Sequence, residues 1–345
     1  MTQTQRKIRI RAESHRLTKP FTISRGHKNT ADVVVVEIND GSRIGRGECV
    51  PYGRYGETLE SVTAEIESIK PILEGSSNKL SHTFTRDDLQ TAMHPGAARN
   101  AIDCALWDLE AKQIGLTVPD RLGLRPRPLP SAVTITLDTP ARMAQAAKQL
   151  LNKNSEKKQL VKVKLGGEDG FAADIGRLSA IRDTAAEATL IVDVNEGWHP
   201  HDIISHVDAL KSFNIDLIEQ PLPADNDDIL KDIDLPFCAD ESVHDSDDLN
   251  HLNPGYDCVN IKLDKTGGLT EALKMLQLAR KKNLKVMVGC MVASSLSMMP
   301  AYFLGLQADY VDLDGPIWLE KDRENGLHFV HDQISLPTKP LWGWN

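Results

Sequence analysis

Eight short apolar runs, most of them carrying a polar or charged residue at or near the end or in the turn after it, recur between Ala132 and Asp314: AVTITL, LVKVKL, TLIVDV, IDLIEQ, LPFCAD, DCVNIK, LKVMVG and DYVDLD. They lie roughly 20 to 30 residues apart, and a helix-compatible stretch follows each, the alternation expected of repeated βα units. Eight is the strand number of a closed parallel barrel. The expected fold is therefore α/β, a (β/α)8 TIM-type barrel, whose working residues come from the carboxyl ends of the strands and the loops after them.

The chain ahead of these runs reads differently. Strand-like stretches near Ile8 to Ala12, Val33 to Ile38 and Gly45 to Cys49 are followed by helical periodicity at Leu59, Val62, Ile66, Ile69 and Leu73, and again at Ile102, Leu106 and Leu109. We expect an N-terminal α+β capping domain over residues 1–125, joined by the C-terminal tail from about 318 to 345, and a catalytic barrel over 126–317. The proline-rich stretch Gly123 to Pro130 predicts a linker between them. A chain of 345 residues has room for both.

Composition excludes several classes of function. A formal net charge of −9 lacks the basic face that nucleic acid requires. No apolar run reaches the roughly 18 residues that span a bilayer, and the first residues do not resemble a secretion signal, so a cytoplasmic protein is expected. Cys49, Cys104, Cys238, Cys258 and Cys290 are widely spaced without a C-x-x-C pair, a pattern of reduced thiols rather than of a disulfide framework or zinc site. A homo-oligomer is compatible with this composition.

The strand ends carry the chemistry. Strand alternation turns Lys162 and Lys164 to one face, and likewise pairs Asp193 with Asn195, Asn260 with Lys262, and Asp312 with Asp314; Glu219 and Asp240 end the fourth and fifth runs. A single Asp in such a place is ordinarily a helix cap or turn former, and a single Lys-x-Lys a solvated face. Closed into a barrel, however, these residues put three carboxylates from neighbouring strands at one mouth with lysines to either side. Like charges so placed repel unless neutralised, and a hard divalent cation such as Mg2+, which takes oxygen ligands, does so. The flanking lysines then suit acid and base work.

Taken together, KVK (162–164), VDVNEGW (192–198), IEQPLP (218–223), CADES (238–242) and NIKLDKTGGLTEA (260–272) resemble the enolase superfamily, and within it the muconate lactonizing enzyme subgroup. The resemblance implies metal ligation by Asp193, Glu219 and Asp240, catalytic lysines at Lys164 and Lys262 on opposite faces of a substrate, and Lys162 steadying the substrate carboxylate. DLDGP (312–316), GCM (289–291), ECVPYGRYGE (48–57) and SRG (24–26) are similar to the dipeptide epimerases, in particular those acting on L-Ala-D/L-Glu. That finer resemblance implies an α-ammonium bound by Asp312 and Asp314, a glutamate side chain met by Arg25, and a pocket lined by Thr134 and by Cys290, Met291 and Val292. Ala293 departs from the acidic residue that many relatives carry there, which bears on the choice of dipeptide.

The implied reaction is a two-base 1,1-proton transfer at the α-carbon of a dipeptide's C-terminal residue. A lyase or cycloisomerase of the same subgroup would share the chemistry but have no use for an ammonium-binding Asp-x-Asp, and a barrel that only binds metabolites could dispense with one lysine. Other patterns carry less. Gly267 and Gly268 read as a βα turn, Asp245 to Asp248 as a solvated turn, His199 and His201 as loop residues, and Trp318, Trp342 and Trp344 as packing or tail residues.

Overall fold

A computed structural model describes residues 6–75, 83–150 and 158–344. Three antiparallel strands open the chain: β1 (Lys7–Ile23), β2 (Gly26–Asn39) and β3 (Ile44–Cys49). β1 and β2 extend well beyond the short stretches expected, because their pairing continues past a register shift between Arg16 and Phe21 to a tight turn at Ser24 and Arg25. Pro20 lies within that shift, where a residue without an N–H does least harm to a ladder. The hairpin thereby carries Arg25 far from its own sheet.

Two helices cover one face of the sheet. Leu59–Leu73 begins on a capping box between Thr58 and Ser61 and buries Val62, Ile66, Ile69 and Leu73. Ala97–Ile114 lies directly on β3. At Gly45 and Gly47 an added Cβ would stand 2.1 and 2.0 Å from the carbonyl oxygens of Ala105 and Ala101, so only glycine allows this approach.

β4 (Leu129–Pro130) falls within the expected linker, which is therefore in part a strand. It pairs with β14 (Gln333–Ser335), itself paired with β13 (His328–Val330), in a small sheet. Pro130 can occupy this edge because an edge strand leaves one row of N–H groups unused.

The eight apolar runs form β5 (Val133–Ile135), β6 (Leu160–Lys164), β7 (Thr189–Asp193), β8 (Leu217–Glu219), β9 (Phe237–Ala239), β10 (Tyr256–Ile261), β11 (Lys285–Val288) and β12 (Tyr310–Val311), parallel and in sequence order. The Ala132 N–H donates to the Val311 carbonyl at 2.7 Å, bringing the two ends of the sheet together. α-Helices do not follow every strand. After β8 and β9 there are only 3-10 turns, Asp228–Asp232 and Asp248–Asn250, since these segments are short, rich in aspartate and interrupted by Pro221 and Pro223 or by Pro254.

Inside the sheet, Ile191, Leu217, Cys238, Cys258 and Met287 pack into an apolar floor, and the residues two positions further along β7, β8, β9 and β10 stand above it. The tail returns to the N-terminal helix: Trp342, fully buried, donates its indole N–H to the Cys104 carbonyl at 3.0 Å, and the Gly343 N–H donates to Asp108 at 2.8 Å. All five cysteines are free thiols. Among the described residues no helix is long and apolar enough to cross a membrane.

Candidate active site

Strand register assembles the site. Lys164 pairs with Asp193, and Asp193 with Glu219, so three charged side chains occupy one row across β6, β7 and β8. Asp240 follows β9, and Lys262 follows β10. All five are buried, Asp193 and Glu219 completely. Lys164 and Lys262 belong to the second and sixth strands of eight, on opposite sides of the mouth.

The charges compensate one another in detail. Lys164 donates to Asp193 Oδ2 at 2.5 Å and to Asn195 Oδ1 at 3.2 Å. Lys162 Nζ lies 2.9 Å from Asp193, 2.8 Å from Glu219 and 2.8 Å from Asp312. Lys262 Nζ is 2.6 Å from Asp240 Oδ2. Burial opposes the charge on Lys162 and Lys262, but the surrounding carboxylates outweigh it and hold both ammonium groups well above their ordinary pKa. Burial likewise opposes ionisation of Asp193 and Asp240, and the adjacent lysines reverse that, whereas Glu219 is raised by burial and by its neighbour Asp193.

A cavity of about 330 Å3 opens above this cluster. Its walls include Arg25, Thr134, Lys162, Lys164, Asp240, Lys262, Cys290, Met291, Val292, Asp312 and Asp314, so every residue expected at the site lies here except Asp193 and Glu219, which are sealed beneath it. Asp314 accepts from the Thr134 N–H at 2.8 Å and the Trp318 indole at 3.3 Å, and burial with Asp312 alongside pushes its carboxyl up to about 6. Asp312 Oδ1 is buried and has no hydrogen-bond donor. A larger cleft of about 900 Å3, between the N-terminal sheet and the C-terminal segment from Glu320 to Trp344, holds neither the carboxylate triad nor the lysines around it.

Arg25 is more committed than its sequence position suggests. Nη1 donates to the Asn195 carbonyl at 2.9 Å and to Glu196 at 3.2 Å; Nη2 donates to the Tyr52 hydroxyl at 3.0 Å and to Glu241 at 2.7 Å. Each Nη carries two hydrogens, so both Nη groups are fully used, and of the five N–H donors only the one on Nε is left.

Several contacts escaped the sequence reading. Lys265, buried, donates to Asp240 Oδ1 at 2.6 Å and to the Asn260 carbonyl at 3.0 Å, fixing the carboxylate from behind. Asn260 donates to Glu219 Oε1 at 2.7 Å, and Gln220 Oε1 accepts from the Asp240 N–H at 2.9 Å. Glu241 is buried, and burial next to Asp240 pushes it up to about 7. Of these residues, strand alternation already turns Asn260 with Lys262 toward the mouth; nothing local marks the others.

The mandelate racemase/muconate lactonizing enzyme N-terminal domain matches residues 5–123, and the enolase C-terminal domain-like family matches 142–344. The chain belongs to this family. It is 41% identical to the L-Ala-D/L-Glu epimerase of Escherichia coli, across 96% of this chain and all of that one. It is 42% identical to an N-acetyl-D-glutamate racemase of a Pseudoalteromonas species, across 90% of this chain and 95% of the relative. A crystal structure of an enolase family member from Agrobacterium tumefaciens, with homology to dipeptide epimerases and with L-Ala-L-Glu and sodium bound, superposes with a TM-score of 0.90 at 44% identity, covering 98% of this chain and all of that one.

Proposed function

We propose that this member of the family is a dipeptide epimerase, an isomerase that inverts the α-carbon of the C-terminal residue of L-Ala-D/L-Glu. The carrying observation is the opposition of Lys164 and Lys262 across a mouth floored by three buried carboxylates. The division of the chain proposed with it is a capping domain of residues 1–125 with the tail 318–345, over a barrel of 126–317; the contacts of Trp342 and Gly343 with the N-terminal helix support it.

Asp193, Glu219 and Asp240 fit a magnesium ion. They are all-oxygen donors on consecutive strands, and Glu219 Oε2, although near the Lys162 ammonium, accepts no hydrogen bond and so has a coordination site to give. Lys162 and Lys262 contact Asp193 and Asp240 in this arrangement. Dipeptide epimerases of known structure carry magnesium. The ion, when bound, neutralises carboxylate charge and lowers the energy of negative charge developing on the substrate.

The protein's own groups do the rest. Lys162 meets the substrate carboxylate. One of Lys164 and Lys262 takes the α-proton from its face as the free amine, a form that becomes accessible once a bound cation, instead of the lysine, offsets Asp193 and Asp240. The C–H electron pair moves into the carboxylate, giving a planar enediolate; the other lysine, as the ammonium, returns a proton to the opposite face. Asp312 and Asp314 receive the peptide's ammonium, the donor that the buried Asp312 Oδ1 lacks. Thr134 holds Asp314 in place, Cys290, Met291 and Val292 form the apolar wall, and Arg25 faces the second side chain. An N-acylated glutamate has no ammonium to offer that pair, and neither does a lyase substrate.

The test is epimerisation of L-Ala-L-Glu, L-Ala-L-Met and N-acetyl-L-glutamate after chelation and after magnesium is restored. Magnesium-dependent turnover of the dipeptides with N-acetylglutamate much slower supports the reading. Preference for N-acetylglutamate, or full activity after exhaustive chelation, refutes it.

A further inference from the structure

The rim of the cavity under the β1–β2 hairpin carries an uncompensated cation, and it is not Arg25. Arg25 spends both Nη groups on Glu241, Glu196, Tyr52 and the Asn195 carbonyl. Arg54 spends its guanidinium on Glu196, with bonds of 2.7 and 2.8 Å. Lys28 also lines the cavity, its Nζ 5.1 Å from the centre of the Tyr52 ring, and it has no ion pair or hydrogen bond among the described residues. Asp32 on the same strand is four residues away, roughly 13 Å along an extended chain, and accepts from the Ser14 and Thr30 hydroxyls.

The charge balance of this patch has a consequence. Arg25 and Arg54 are paired with Glu196 and Glu241, while Lys28 on the same rim has no carboxylate partner of its own among the described residues. A side-chain carboxylate that drew Arg25 away from Glu241 would leave Glu241 buried without its counterion, unless a further cation stood by. We infer that Lys28 is that cation: a specificity residue that meets the anionic side chain of the dipeptide's second residue while Arg25 remains anchored to the barrel. The inference rests on the dipeptide reading above. It turns on three free N–H donors at Lys28 against an Arg25 whose two Nη groups are spent and which keeps only its Nε–H. Tyr52 keeps the two cations on one surface, its hydroxyl bound to Arg25 and its ring beneath Lys28.

The experiment compares kcat/KM for L-Ala-L-Glu and L-Ala-L-Met in wild type, Lys28→Met, Lys28→Arg and Lys28→Glu, each at low and high ionic strength. The Ala-Glu to Ala-Met ratio should fall by about 2- to 5-fold in Lys28→Met, recover in Lys28→Arg and fall further in Lys28→Glu, the size expected of an exposed charge pair. Salt should depress the wild-type ratio and leave that of Lys28→Met nearly flat, a response that a packing role would not give. An unchanged ratio in Lys28→Met, or equal losses on both dipeptides, overturns the assignment while leaving the dipeptide reading intact. If wild type turns over neither dipeptide, the dipeptide reading has failed and the role of Lys28 falls with it.

Discussion

Asp264 should be replaceable by asparagine with a gain in stability at neutral and alkaline pH. Its carboxyl is buried where the N-terminal domain meets the barrel, and Oδ1 accepts from the Val50 N–H at 3.0 Å and from Asn100 Nδ2 at 2.8 Å. Burial, with Glu57 and Glu48 nearby, outweighs those bonds and pushes the pKa up from 3.8 to about 7. Below about pH 4 the group is protonated in both folded and unfolded chains. Between about pH 4 and 7 the unfolded chain loses the proton while the folded one keeps it, so stability falls as pH rises; above about 7 the penalty is constant. At about 1.4 kcal/mol per pH unit, the full penalty is about 4 kcal/mol. Asparagine keeps an oxygen for both donors but adds an NH2 with no acceptor assigned, which returns about 1 to 3 kcal/mol. The net gain at pH 8 should be about 1 to 3 kcal/mol, a rise of a few degrees in Tm, and it should vanish by about pH 5. Thermal unfolding of both proteins from pH 5 to 9 measures it. A variant destabilised equally at every pH would show that the charge on Asp264 contributes net stability and that the reasoning is wrong.

Lys265→Met removes one cation of a buried pair and should cost about 3 kcal/mol of stability, measured by urea unfolding, and should weaken magnesium binding in calorimetry because Asp240 loses the support behind it. Asp314→Asn should lower kcat/KM for L-Ala-L-Glu and L-Ala-L-Met alike, by about 10-fold or more, since both carry the ammonium; a loss confined to Ala-Glu would place Asp314 at the side-chain end instead. Asn260→Leu removes the donor to Glu219 Oε1 and should raise the magnesium requirement, read from activity against metal concentration, by about 10- to 100-fold.

The barrel was legible because strand alternation and strand spacing are local signals. The eight runs all became strands, and two-residue alternation sufficed to turn Lys162 with Lys164, and Asn260 with Lys262, toward the mouth. What the sequence hides is closure over distance. Arg25 and Glu241 are 216 positions apart and meet only because β1 and β2 outrun their expected lengths and carry the turn over the barrel. Lys265 looks like one more charge in a helix, yet the short helix Leu263–Thr266 turns it beneath Asp240. The Gly123 to Pro130 stretch misleads for a related reason: its prolines report that it cannot lie in a central strand, and say nothing of the tail that pairs with Leu129 and Pro130 from the other end of the chain. Gly267 and Gly268, by contrast, are the βα turn their spacing suggested, with positive φ and with Arg99 and Asp103 where side chains would need to be.

The central claim is that two lysines work on opposite faces of one α-carbon, and deuterium uptake tests it most directly. L-Ala-L-Glu and L-Ala-D-Glu are incubated separately in heavy water with magnesium and with wild type, Lys164→Ala or Lys262→Ala, and α-deuterium is followed by mass spectrometry and NMR. Wild type should label and interconvert both isomers. Each variant should lose epimerisation by at least about 100-fold, and each should retain exchange only with the isomer whose α-hydrogen faces its surviving lysine, the two variants choosing opposite isomers. If one variant abolished exchange with both isomers while the other still epimerised, a single base would be doing the chemistry and the two-lysine account would be contradicted.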